Sequence, residues 1–168
     1  MIYVGCNLDL HYLELFLEHA KLDQSLLQAL VVKLAKTTIL LFKTGRGVIT
    51  GSTTRKAALQ AAKQLITNLN ICEHKQAKLK QFKVTNIVLT TWLRGPIDLN
   101  KFYNNNKLVC SYEIELFPGL IMRSLNSRVS ATFFRKGTYF VTGFSNFKKA
   151  RTYANHMYEL LKISNSIK

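Results

Sequence analysis

The sequence predicts an α+β fold built from two unequal copies of one unit, with the strands forming a curved antiparallel sheet and one long helix per copy on its convex side. Two observations carry that expectation, and a third points to the partner. A shift of 92 positions lays Phe42 on Phe134, Gly45 on Gly137, Val48 on Phe140, Thr50 on Thr142, Gly51 on Gly143 and Lys36 on Arg128. Each half runs through several β-type segments before a long segment of helical period. The 24 Lys and Arg residues against nine acids leave a net charge of +15, too large to be incidental to packing, so an anionic partner is implied.

The chain of 168 residues divides at a lysine-rich stretch, Glu73 to Lys83, which reads as the connector. The first repeat with this connector is residues 1–80 and the second is 81–168. From Leu10 to Leu22 the spacing predicts a helix with Leu13, Phe16 and Leu17 on its apolar side. Segments 28–34 and 37–42 read as strands, and the turn Lys43 to Gly47 leads into a third, 48–51. A helix follows, capped by Ser52 or Thr53, with Ala58, Ala61 or Ala62, Leu65 and Leu69 as its stripe. In the second half, residues 82–92 open a long strand, 98–107 a brief helix running into a loop, and 120–125, 128–134 and 138–142 three short strands turned at Asn126-Ser127 and Lys136-Gly137. The last helix, 145–163, buries Phe147, Ala150, Ala154, Met157 and Leu161.

Chemistry is absent from the pattern. Cys6, Cys72 and Cys110 are odd in number and widely separated, and they read as reduced small residues, not a disulfide frame or a zinc site with the four histidines. No phosphate-binding glycine loop, nucleophile elbow or partnered carboxylate pair is visible, so no enzyme, cofactor, metal or small-molecule substrate is expected. No stretch of about 18 apolar residues and no signal peptide occurs, so a soluble intracellular protein with no membrane partner is expected.

The run Tyr112-Glu113-Ile114-Glu115-Leu116-Phe117-Pro118-Gly119-Leu120-Ile121, followed by Arg123, Arg128, Phe134, Gly137 and Val141-Thr142-Gly143, resembles the second half of the TATA-box-binding proteins. The resemblance extends over nearly the whole chain and implies the family's saddle of about nine to ten strands. It also implies DNA bound and bent through the minor groove, a mode of which this family is itself the standard example. By resemblance, Phe117 and Phe134 match the wedge pair of the second half and Phe42 one wedge of the first. Asn86 matches a base-contacting asparagine, and Thr50 and Thr142 the paired central threonines. Val48, Phe140, Val88 and Leu40 match apolar groove contacts, while Arg123, Arg128, Lys36 and Arg46 match phosphate-contacting cations.

Departures are equally specific. At the constant shift, Phe117 falls on Ser25, followed by Leu26-Leu27, so one wedge is missing or made by a leucine; Arg123 falls on Val31, which removes a cation. The partner of Asn86 falls before Met1, so the opening strand of the first repeat is truncated. Thr132 replaces an apolar contact and Thr138 a basic one. An asymmetric saddle results, with A·T-rich, deformable promoter DNA as its expected target in place of strict TATA.

Glu113 and Glu115 match the acidic pair at which the family receives a factor-B-type initiation protein; a factor-A-type protein is the further partner implied. The helix cations Arg55, Lys56, Lys63, Lys148, Lys149 and Arg151 either hold regulatory proteins or form the solvated face. A general transcription factor acting in the nucleus follows. High Lys and Asn content suits a parasite or a large DNA virus, whose cytoplasmic factory is then the alternative location. The competing reading is an adaptor that keeps the fold for protein contacts and binds DNA weakly or without sequence preference.

Overall fold

The computed structural model describes residues 1–25, 28–72 and 76–167. The chain forms two compact units, Met1–Val84 and Thr85–Lys168. Each has its own antiparallel sheet and its own core.

In the first unit a short strand β1 (Ile2–Tyr3) precedes helix α1 (Leu10–Phe16). Asp9 caps α1: its carboxylate accepts from the main-chain N–H groups of His11 and Tyr12, both at 3.1 Å. The helix stops a turn and a half short of the expected Leu22. His19 adopts a left-handed φ of 58°, and Ala20–Asp23 becomes strand β2, paired with β3 (Ala29–Leu34) from Ala20↔Val32 to Asp23↔Ala29. Strand pairing supplies those backbone groups with the partners that a longer helix would have given. Leu13 and Leu17 are buried as expected, but Phe16 is 59% exposed and rests on Tyr12, with ring centroids 4.5 Å apart.

Strand β4 (Thr37–Phe42) alternates strictly: Thr37, Ile39 and Leu41 are buried, and Thr38, Leu40 and Phe42 are half-buried on the other face. β5 (Arg46–Thr50) pairs with both β4 and β1. Helix α2 (Arg55–Ile71) covers the Ile39–Leu41 side through Ala61, Ala62, Leu65 and Leu69. Its cap is Thr54, whose hydroxyl accepts from Ala57 N–H at 3.1 Å; the Ser52 hydroxyl is engaged instead with that of Thr37 at 3.0 Å. A two-residue strand β6 (Gln81–Phe82) completes the sheet order β2-β3-β4-β5-β1-β6.

The second unit repeats the plan. β7 (Ile87–Trp92), α3 (Leu99–Asn105) and β8 (Cys110–Ser111) are followed by β9 (Gly119–Arg123), β10 (Ser130–Phe134), β11 (Thr138–Phe144) and α4 (Phe147–Ile163), in the sheet order β7-β11-β10-β9-β8. The described residues thus hold eleven strands. The expected 82–92 strand is split into β6 and β7, and β8 is one that the pattern did not reveal. Leu120, Ala131, Phe133 and Val141 meet Ala154, Met157 and Leu161 of α4 in the core, and Tyr139 donates its buried hydroxyl to the Ala154 carbonyl at 3.0 Å. Phe147, expected inside, is 58% exposed, because Asn146 caps α4 and sets Phe147 at its first position, ahead of the packed turns.

The ladders make the repeat physical and correct part of its register. Leu40↔Val48 in the first unit corresponds to Thr132↔Phe140 in the second, a shift of 92 on both strands. One strand earlier, Val31↔Leu40 corresponds to Ile121↔Thr132, a shift of 90. The difference lies in the hairpin. Leu34 pairs with Thr37 across the two residues Ala35-Lys36, whereas Ser124 N–H reaches Val129 carbonyl at 3.1 Å across four. The position of Arg123 is therefore taken by Lys33, not Val31, and the cation is retained. Gly119 corresponds to Ala29, and two residues before it the counterpart of Phe117 is Leu27, not Ser25; Leu27 lies outside the described residues.

Candidate nucleic-acid interface

Each sheet has one face against its helix and one face open. In the second unit the open face carries, by strand alternation, Val88, Thr90 and Trp92 on β7, Phe140 and Thr142 on β11, Thr132 and Phe134 on β10, and Ile121 and Arg123 on β9. None of the nine acids lies on the strands β3, β4, β5, β7, β9, β10 or β11.

Phe117 and Phe134 meet on this open face, edge to face, with ring centroids 5.9 Å apart, and Phe140 stands 6.1 Å from Phe134. Phe117 is 40% exposed and Phe134 half-buried; neither belongs to the core under α4. The turn before β9 holds Phe117 in place, its N–H donating to the Glu113 carbonyl at 2.9 Å. Gly119 creates the space, since a Cβ there would sit 2.6 Å from Phe117 Cε1 and 3.0 Å from Phe134 Cε1. Thr132, on the same strand face, is buried, and its Cγ2 would also lie 3.0 Å from a Cβ at Gly119.

Asn86 lies just before β7, and its side-chain Oδ1 accepts from Thr142 Oγ1 at 3.1 Å and from Gly143 N–H at 2.9 Å. A main-chain N–H only donates, so the oxygen is fixed toward β11 and the amide NH2 is left to donate outward. Gly143 makes this possible: it has a φ of 94° at a register shift in the β7–β11 ladder, and a Cβ there would run into the Arg128 carbonyl.

In the first unit Arg46, Val48 and Thr50 alternate along the open side of β5, all exposed, and Leu40 is the ladder partner of Val48. Phe42 ends β4 opposite Ala29, where the second unit has Phe134 opposite Gly119. Lys36 is exposed in the hairpin turn, Arg128 in the corresponding longer one, and Arg123 at the end of β9. Lys33, missed by the constant shift, joins them on the open face of β3. Trp92, to which the resemblance assigns no role, lies on the open face of β7 as well, by alternation from Val88. Among the described residues the one ion pair is Lys162 with Glu159, at 3.2 Å, so no open-face cation is neutralised by an acid.

Glu113 and Glu115 are both exposed in the turn leading to Phe117, beside the exposed Ile114 and Leu116. Among the described residues no group of three or more His, Cys, Asp or Glu could hold a metal, and no helix is long and apolar enough to cross a membrane.

The family model described as transcription factor TFIID, or TATA-binding protein, matches residues 1–72 and 81–163. The chain belongs to the TATA-binding protein family. It is 33% identical over 147 residues to the TATA-box-binding protein of Acanthamoeba castellanii, covering 84% of this chain and 55% of that one. To the TATA-box-binding protein of Saccharomyces cerevisiae it is 31% identical over 147 residues, covering 84% and 60%. The chain thus spans little more than half the length of these relatives. Among solved structures, the Methanococcus jannaschii TATA-binding protein superposes with a TM-score of 0.80 at 25% identity, covering 96% of this chain and 93% of that one. The two-repeat fold of the family is therefore this chain's fold.

Proposed function

We propose that this protein is a divergent general transcription factor that binds A·T-rich promoter DNA through the minor groove and bends it. The observation that carries the reading is the Phe117–Phe134 pair, held half-exposed on a face free of acids. Rings there are positioned to unstack a base step, at a cost of a few kcal/mol offset by the surface a bent duplex brings into contact. The outward Asn86 amide suits the minor-groove acceptors of adenine and thymine, where a guanine amino group would meet it donor to donor. Lys33, Lys36, Arg46, Arg123 and Arg128 supply the phosphate contacts, and Val48, Val88, Leu40, Phe42, Phe140, Thr50 and Thr142 line the groove. The turn bearing Glu113 and Glu115 would receive a factor-B-type initiation protein, with a factor-A-type protein as a further partner. This activity belongs in the nucleus, or in a viral factory for a chain of viral origin.

A duplex labelled at both ends reads bending by energy transfer. Phe117→Ala with Phe134→Ala is expected to abolish the bend and weaken binding about a hundredfold, the wedge being worth a few kcal/mol. An unaltered bend and affinity at moderate salt would sink the reading.

One observation favours the adaptor reading instead: β1 is two residues long and Ala29 stands where the second unit has Gly119, so the first unit's open face is the weaker one. Equal affinity for A·T-rich and G·C-rich duplexes, together with tight binding of a factor-B-type protein, would select it.

A further inference from the structure

Trp92 is the chain's only tryptophan and stands 74% exposed at the end of β7. Its ladder partner is Thr138, two residues before Phe140 on β11, so the indole lies on the same open face as the ring pair. The β10–β11 ladder ends at Phe133↔Tyr139, and continuing its register by one residue sets Phe134 opposite Thr138; Phe134 pairs with Gly119. Trp92 therefore ends a transverse row of residues that passes through Phe134, two strand spacings or about 10 Å away.

The chain around it is cationic. Arg94 follows two residues later, and the hairpin tip Arg135-Lys136 is tied to the same strand end by Leu93 N–H to Gly137 carbonyl at 2.8 Å and Ile97 N–H to Arg135 carbonyl at 3.0 Å. Gly137, at a φ of 90°, permits that approach, since a Cβ would collide with the Gly95 carbonyl. Arg94, Arg135 and Lys136 are exposed, none is in an ion pair among the described residues, and no acid occurs in 85–97 or 119–144. An exposed indole on a strand end that also carries unneutralised cations fits a surface that is both anionic and able to pack against a flat ring.

We propose that Trp92, with Arg94, Arg135 and Lys136, forms a second contact to duplex DNA, the indole packing on a deoxyribose and the cations taking the adjoining phosphates. The inference rests on the DNA-binding reading above. The strand sets the target: from Asn86 to Trp92 is about 20 Å of extended chain, well beyond the roughly 6 Å width of a relaxed minor groove. With Asn86 and Val88 at the base edges, Trp92 reaches the backbone beside the groove. Tyr3 holds the equivalent ladder position in the first unit, paired with Arg46 as Trp92 is with Thr138.

The lone tryptophan supplies its own readout. In a titration of the full chain with a fluorescently labelled A·T-rich duplex, anisotropy follows binding while indole emission follows this contact. The expected result is quenched and shifted indole emission at saturation. Trp92→Asp should weaken binding about tenfold, and Trp92→Tyr should stay within about threefold. Changing Arg94, Arg135 and Lys136 together to Gln should lower the slope of log affinity against log salt by about three. Saturated anisotropy with unchanged indole emission overturns the proposal while leaving DNA binding standing. No anisotropy change even at low salt overturns the DNA reading, and this inference with it.

Discussion

At Gly119 the lack of a side chain and the placing of two rings are one fact, because any Cβ there meets both Phe117 and Phe134. Gly119→Ala is therefore expected to splay the pair and weaken DNA binding about as much as losing one ring. The atoms met are ends of side chains on an open face, so stability, read by thermal denaturation, should fall by no more than about 1 kcal/mol. Gly143→Ala is a different case: its new methyl meets backbone, and its φ of 94° is one that side chains resist. The expected cost is about 1–3 kcal/mol or more, read by denaturant titration, with Gly95→Ala, where nothing lies within 4 Å, as the silent control. Burial pushes the Cys110 thiol up to about 11. A raised thiol pKa favours the neutral form in the folded state, so this contribution is intact below the unfolded value near 9 and is lost as pH rises toward 11. Cys110 should accordingly alkylate far more slowly at pH 8 than in the denatured chain, as peptide mapping after brief iodoacetamide treatment would record.

Elements were legible wherever period and burial agreed. Thr37–Phe42 reads as a β-type run and forms β4, and the stripes Ala61–Leu69 and Ala150–Leu161 are the buried faces of the two long helices. The sequence reading failed where tertiary pairing outweighed local period. Ala20–Asp23 continues a helical pattern, yet β3 captures it as an edge strand. It failed again where a constant shift was carried across a hairpin two residues shorter than its counterpart, which hid Lys33 and misassigned Ser25. The open-face aromatics were readable from motif, but Trp92 needed the ladder to fix its face. Between elements, the Tyr139 hydroxyl to the Ala154 carbonyl is the polar tie from sheet to helix. Tyr139→Phe should cost about 1–2 kcal/mol, since the hydroxyl also bonds the Thr91 side chain, with no effect on DNA affinity.

For the whole molecule, the repeat and the charge of +15 set the terms, and the two units answer them unequally. The second unit pairs Phe134 with Gly119, while the first pairs Phe42 with Ala29 and has Leu27 where the other has Phe117. In the second unit the Phe117 ring needs a glycine at 119, since a Cβ there would meet both rings. The two changes must therefore be coupled, each worth little alone. Leu27→Phe with Ala29→Gly should give the first unit a wedge pair of its own and increase both the bend and the affinity, read by end-to-end energy transfer and anisotropy. Leu27→Phe alone should leave both near wild type, because Ala29 still stands where the second unit has Gly119. If the single variant matched the double, the registration of Ala29 on Gly119 would be wrong, and the inequality of the units would have to come from the two-residue strand β1 instead.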